Sequence, residues 1–191
     1  MSRIWPTRVW LVRHGPTHAK GMVGWTDLPA DLSDAAALSR LNAHLPVAPV
    51  ISSDLSRAVA TADALHTRPR LPHDRDWREL HFGAWEMRTF TEVEAEAPDH
   101  IRAFWETPGE ISPPGGESWN AICGRIDRAL GQLAHLPEVI VVAHFGAIVA
   151  AIQHAGGLTP TQAFSHKIDN LSVTCLEFGP SPRVLSINHI P

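Results

Sequence analysis

Three stretches carry residue types that do chemistry at the edge of an apolar run. VWLVRHGPTHAK (9–20) ends its run on Arg13-His14-Gly15, APVISS (48–53) leads into Ser53-Asp54-Leu55-Ser56-Arg57, and VIVVAH (139–144) ends on His144. Two arginines and two histidines at run ends suit an anion: guanidinium groups bind phosphate oxygens in bidentate fashion, and a turn at Gly15 lets backbone amides approach closely. A neutral imidazole in such a pocket has a lone pair able to attack phosphorus, and a second one can donate to an equatorial oxygen. The leaving oxygen still requires a proton donor. Glu79 in WRELHFGAWE is the first candidate, because Trp77, Phe82 and Trp85 would desolvate its carboxyl and keep it protonated near neutral pH. Glu86 and Glu117 compete for that role.

The elements that must position these groups are visible in the pattern. VWLV (9–12), APVISS (48–53) and VIVVAH (139–144) are apolar without alternation, as strands covered on both faces are. Helical spacing follows in 33–45, with Ser33 or Asp34 as N-cap, in 54–65, in 90–106, in 117–136 and in 146–156. The alternation predicts a single α/β domain over 1–191: a three-layer sandwich with a mostly parallel central sheet and helices on both faces. Ligands in such sheets bind outside the carboxyl ends of the strands. LSVTCLEF (171–178) and RVLSINHI (183–190) predict a closing hairpin or adjacent strands, with an edge near 171–178 as a candidate homodimer contact. TPGEISPPGGE (107–117) reads as a loop over the site.

Composition narrows the function classes. A chain of 191 residues, 44% hydrophobic and 19% charged, with net charge −4 and no basic cluster, is not built for general nucleic-acid binding. The start MSRIWPTRVW lacks an apolar signal region, and no run reaches the roughly 20 apolar residues of a membrane span, so a cytoplasmic protein without membrane contact is expected. Cys123 and Cys175, far apart and outside any CxxC, read as reduced thiols. Seven tryptophans without a basic stripe read as core and rim, with Trp25 and Trp105 placed where loops can bring them to a substrate. Of twelve histidines, His18 and His81 lie near the candidate site in sequence, and the others apart from His14 and His144 read as surface or cap residues.

The same stretches resemble a known family. LVRHGPT (11–17) is similar to the L-V-R-H-G-E-T signature of the histidine phosphatase superfamily, the phosphoglycerate mutase-like enzymes. GWTDLP (24–29), SSDLSRAVATA (52–62), RELHFGAWE (78–86), PPGGES (113–118), VVAHFGAIVAA (141–151) and NLSVTCLEF (170–178) extend the resemblance in the family's order. It implies a metal-independent, cofactor-free phosphomonoester hydrolase acting on a small phosphorylated metabolite such as α-ribazole 5′-phosphate. By the same resemblance His14 is the nucleophile that becomes phosphohistidine, and Arg13, Arg57 and His144 hold the phosphoryl group with help from Thr17. Glu79 becomes the general acid, then the base. Lys20, Trp25, Thr26, His81 and Phe145 are candidate substrate-lining residues.

Departures stand beside the matches: Pro16 in the signature, Lys20 where Asn is frequent, and Met87 and Phe145 where glycine is usual. Only 30 residues separate Glu86 from Glu117, without the insertion that shields the phosphoenzyme in mutases. That favours hydrolysis over a mutase-type phosphotransferase, and the presence of His14, Arg57, Glu79 and His144 together favours it over a non-catalytic phospho-ligand-binding member of the fold. A histidine-rich metal hydrolase ranks lower, since no close pair has ligand spacing.

Overall fold

The computed structural model describes residues 6–191. Five strands form one sheet: β1 (Thr7–Arg13), β2 (Val50–Ser52), β3 (Glu138–Ala143), β4 (Val173–Phe178) and β5 (Arg183–His189). Their spatial order is β2-β3-β1-β4-β5. β1 and β2 both pair parallel to β3, while β4 runs antiparallel to β1 and to β5. Four strands therefore share one direction and β4 alone is reversed, which satisfies the expectation of a mostly parallel sheet. The expected edge near 171–178 is corrected: β4 lies between β1 and β5, and β5 forms that edge. A hairpin appended to the sheet puts its second strand outermost.

The unalternating apolar runs have a direct structural cause. On β3, Val139 and Val141 enter one core while Ile140 and Val142 enter the other, and Val9 and Leu11 are separated from Val12 on β1 in the same way. A strand with successive side chains on opposite faces needs apolar residues at every position when both faces are covered. Each such fully buried side chain contributes about 1.5–3 kcal/mol of burial free energy.

One face carries α1 (Ala35–His44) and α2 (Ser56–Asp63), through Leu41, Ala58 and Ala62. The other carries α3 (Phe90–Glu94), α4 (Pro98–Glu106), α5 (Trp119–Gln132), α6 (Phe145–Gly156) and α7 (Pro160–Phe164), through residues such as Val93, Ile101, Ile126, Ile148 and Ala163. Asp34, rather than Ser33, caps α1 by accepting from the Ala37 amide. The helix expected over 90–106 is two helices, because Pro98 stands at the first position of α4 and the proline ring cannot continue α3. The helices expected over 54–65 and 117–136 are shorter, Ser56–Asp63 and Trp119–Gln132, the latter capped by Ser118. α7 and two single turns of 3-10 helix, Arg75–Trp77 and Gly83–Trp85, lie where no helix was expected.

The loop 107–117 packs on the segment carrying Glu79: Ala84 donates to the Pro114 carbonyl, and Glu117 donates to that of His81. Gly83 permits this approach, with φ of 53° and space for no side chain, since a Cβ there would lie 2.2 Å from the Pro114 oxygen. Cys123 and Cys175 are free thiols. Among the described residues no helix is long and apolar enough to cross a membrane; the first five residues of the MSRIWPTRVW stretch lie outside the described residues.

Candidate active site

Because β2, β3 and β1 are neighbours and parallel, their carboxyl ends lie side by side and deliver Ser53, His144 and His14 to one place. The ladder runs one step past the strands, with the His14 amide donating to Ala143 and the Ser53 amide to Val142. His14 and His144 face one another at 4.9 Å between ring centroids. Arg57, in the first turn of α2, donates from Nε to His14 Nε2 at 3.3 Å.

His14 is buried and oriented. Its Nδ1 lies 2.6 Å from the Gly15 carbonyl oxygen, which can only accept, so Nδ1 carries the proton and Nε2 keeps its lone pair. Burial first, then the charges of Arg57 and Arg13, push the imidazole pKa down to about 3, against the opposing Gly15 hydrogen bond. The ring is neutral near pH 7. His144 is held well below the usual imidazole range by burial, by His14 and by the arginines. Its Nε2 contacts the Ser53 hydroxyl at 2.7 Å, and its buried Nδ1 has no protein partner.

Both arginines are held by backbone carbonyls. Arg57 donates to Thr26 at 2.9 Å and to Gly24 at 2.6 Å, and Arg13 donates to Ile168 at 2.6 Å while its buried Nε has no protein partner. The 24–26 loop is in turn held by the Glu86 carboxylate. It accepts from the amides of Gly24, Trp25, Thr26 and Phe82 and from the Thr26 hydroxyl. Burial opposes that charge, but the bonds from Trp25, Thr26, Gly24 and Phe82 outweigh it and hold the pKa below the ordinary range. Glu86 is thus a support for Arg57. Glu117 is occupied as well, in a two-pronged pair with Arg125 at 2.8 and 3.0 Å.

Glu79 is the remaining carboxyl. Buried at the N-terminus of α6, it accepts from the Leu80 amide at 2.8 Å and from the Gly146 amide at 3.0 and 3.1 Å. Burial raises its pKa although those amides and both arginines pull the other way. It also lines a small apolar pocket of about 40 Å³, walled by Phe82, Trp105, Phe145 and Phe164 among others.

The remaining candidates sit as follows. Thr17 is half-buried and Lys20 exposed on the loop after His14. The Trp25 indole donates to the Glu79 carbonyl and stacks on His81 at 4.4 Å, with the Arg78 guanidinium 4.8 Å from its ring, and the Thr26 hydroxyl is bound to Glu86. His18 turns outward to Asp31. Three further supports carried no signal of their own. Thr61 accepts from the Gly15 amide and donates to the Arg57 carbonyl, Asn170 donates to the His14 carbonyl, and Ser53 contacts His144.

Fold and cluster define a three-layer α/β protein whose parallel strands end in a buried cationic pocket with paired neutral histidines. Residues 9–189 match the histidine phosphatase superfamily (branch 1), and the chain belongs to that family. It is 29% identical over 170 residues to adenosylcobalamin/alpha-ribazole phosphatase of Escherichia coli (strain K12), covering 83% of each. It is 34% identical over 164 residues to glucosyl-3-phosphoglycerate phosphatase of Mycolicibacterium vanbaalenii, covering 75% of this chain and 71% of that protein. The solved structure of mycobacterial glucosyl-3-phosphoglycerate phosphatase Rv2419c superposes with a TM-score of 0.81 at 26% identity, over 96% of this chain and 99% of that one. The chain spans 41% of the length of other mycobacterial relatives, among them bifunctional protein Rv2228c of Mycobacterium tuberculosis, to which it is 32% identical over 164 residues.

Proposed function

We propose that the chain is a metal-independent phosphomonoester hydrolase, one catalytic domain around one sheet, working through a phosphohistidine on His14. The observation that carries this reading is the state of His14: neutral, with Nδ1–H on the Gly15 carbonyl and the Nε2 lone pair beside Arg57 and His144. In the first step His14 Nε2 attacks phosphorus and the bond to the ester oxygen breaks. Arg13, Arg57 and an N–H of His144, whose free Nδ1 suits the purpose, take the charge on the phosphoryl oxygens, as preorganised donors do where charge develops. The Glu79 proton passes to the departing alkoxide. In the second step the Glu79 carboxylate takes a proton from water, hydroxide oxygen attacks phosphorus, the N–P bond breaks, and phosphate leaves with His14 neutral again.

The relatives named for α-ribazole and for glucosyl-3-phosphoglycerate support a small phosphorylated metabolite as substrate. α-Ribazole 5′-phosphate is the proposed member of that class. The test is phosphate release with EDTA present, from α-ribazole 5′-phosphate and 3-phosphoglycerate among other esters, by the chain and its His14→Ala variant. Turnover that disappears in a folded variant, with loss of an acid-labile phosphoenzyme, is expected. Retained turnover in the variant refutes the mechanism.

A further inference from the structure

Two buried imidazoles face one another in the site, and the place of the proton on each is set by its neighbour. On His14 the neighbour of Nδ1 is the Gly15 carbonyl, which can only accept. On His144 it is the Ser53 hydroxyl, 2.7 Å from Nε2, and a hydroxyl can donate or accept. What else Ser53 touches decides between the two. Its Oγ accepts from the Leu55 amide at 3.2 Å, and among the described residues it has no further partner. Ser53 and His144 are both fully buried.

The hydroxyl has one hydrogen, and the Leu55 N–H cannot take it. If Nε2 of His144 carried the ring proton, it would donate to Oγ, leaving the serine hydrogen without an acceptor and a bare lone pair on the buried Nδ1. If Nδ1 carries the proton, the bonds run in one direction, from Leu55 N–H to Ser53 Oγ and from Ser53 O–H to His144 Nε2. Nδ1–H alone is then unbonded, in agreement with its lack of any protein partner. One unmade buried hydrogen bond fewer favours the second arrangement by at least about fivefold. A buried donor without a protein acceptor is available to a bound oxyanion, and the Nε of Arg13 is in the same condition.

We propose that Ser53 is a positioning residue: its hydroxyl donates to Nε2 of His144 and holds that ring's proton on Nδ1, which then donates to a phosphoryl oxygen. The last step rests on the hydrolase reading above; the placement of the proton does not. The two rings then share one tautomer and turn different nitrogens to the phosphoryl group, His14 its bare Nε2 and His144 its Nδ1–H.

The test reads the tautomer directly. Protein carrying isotope-labelled histidine, free of ligand at neutral pH, gives long-range proton–nitrogen correlation spectra in which His144 is assigned from the signals missing in His144→Gln. His144 shows a protonated Nδ1 and a bare Nε2. In Ser53→Ala both of its nitrogen shifts move toward the Nε2–H form while those of His14 stay in place, which separates this role from a general loosening of the pocket. Titration with inorganic phosphate shows an affinity about fivefold or more lower in Ser53→Ala. Turnover of an alkyl phosphate falls at least about tenfold, with the alkyl-to-nitrophenyl ratio unchanged because Glu79 keeps its bonds.

Ser53→Cys, which keeps the shape with only a weak S–H donor, replaces the alanine variant should that unfold. An Nε2–H tautomer in the wild type, an unchanged tautomer in the folded variant, or equal phosphate affinity overturns the proposal and leaves the hydrolase reading standing. Absence of turnover on every ester overturns the hydrolase reading, and the spectra and phosphate titration then decide the role of Ser53 by themselves.

Discussion

Glu86→Gln removes one charge and leaves the shape of the side chain nearly unchanged, yet five donors converge on that carboxylate. Gly24 N, Thr26 N and the Thr26 hydroxyl bond Oε2, while Trp25 N and Phe82 N bond Oε1. A glutamine has a single acceptor oxygen. Placed at Oε2, it leaves Trp25 N and Phe82 N facing an amide NH2; placed at Oε1, it leaves Gly24 N and Thr26 N so. Two backbone donors lose their acceptor in either rotamer, at about 1–3 kcal/mol each. Water reaches the half-buried group, so the lower half of the sum applies, about 2–4 kcal/mol, or a fall in Tm of roughly 4–16 °C for a chain of this size.

The damage extends to function, because the Gly24 and Thr26 carbonyls aim Arg57. Urea unfolding and phosphate affinity measured on the same preparation test both parts. Since the folded pKa of Glu86 lies below its unfolded value, its contribution is present above the unfolded pKa and is lost as pH falls through the folded one. The gap between wild type and variant therefore narrows below about pH 4.5. A variant of unchanged Tm and unchanged phosphate affinity would refute the chain of support from Glu86 to Arg57.

Three other perturbations bear on the proposed chemistry. Glu79→Gln lowers turnover of an alkyl phosphate by at least about 10²-fold and of p-nitrophenyl phosphate much less, because nitrophenolate leaves without a proton; equal losses place the acid elsewhere. Gly146→Ala sets a Cβ 2.3 Å from Glu79 Oε1 and displaces the carboxyl, so turnover of the alkyl ester falls at least about tenfold with the nitrophenyl ester again less affected. His14, with its folded pKa at about 3, takes up its proton in the unfolded chain first, so stability falls as pH drops below about 6.5. At pH 5 this amounts to about 2 kcal/mol, and chemical unfolding of His14→Gln shows a correspondingly shallower decline from pH 7 to pH 5.

Much of this arrangement was legible in the residues. Unalternating apolar runs ending in Arg13-His14 and His144 specify strands covered on both faces and state which side chains leave their ends. Reading which carboxyl is free was harder. Glu79, Glu86 and Glu117 occur in similar surroundings along the chain, and only tertiary contacts show that Glu86 is surrounded by five donors and Glu117 paired with Arg125. The edge strand was misplaced because pattern alone does not order the two strands of a hairpin against β1. The break before Pro98 was visible as a residue and was overridden by helical spacing that continues across it. Thr61 and Asn170 act on the backbone of His14 and Gly15, a partnership between distant segments that spacing does not encode.

The place of β1 in the sheet bears on how the molecule is made. It is synthesised well before its pairing partners, Glu138 to Ala143 on one side and Val173 to Phe178 on the other. Until those segments are synthesised, VWLVR has no strand to join and its apolar side chains wait exposed to chaperones and to other nascent chains. Loop closure over such sequence separations is entropically costly and slows folding. His14 thus acquires its neighbours late, and a chain halted before β3 carries His14 without His144 beside it or the Gly146 amide that holds Glu79.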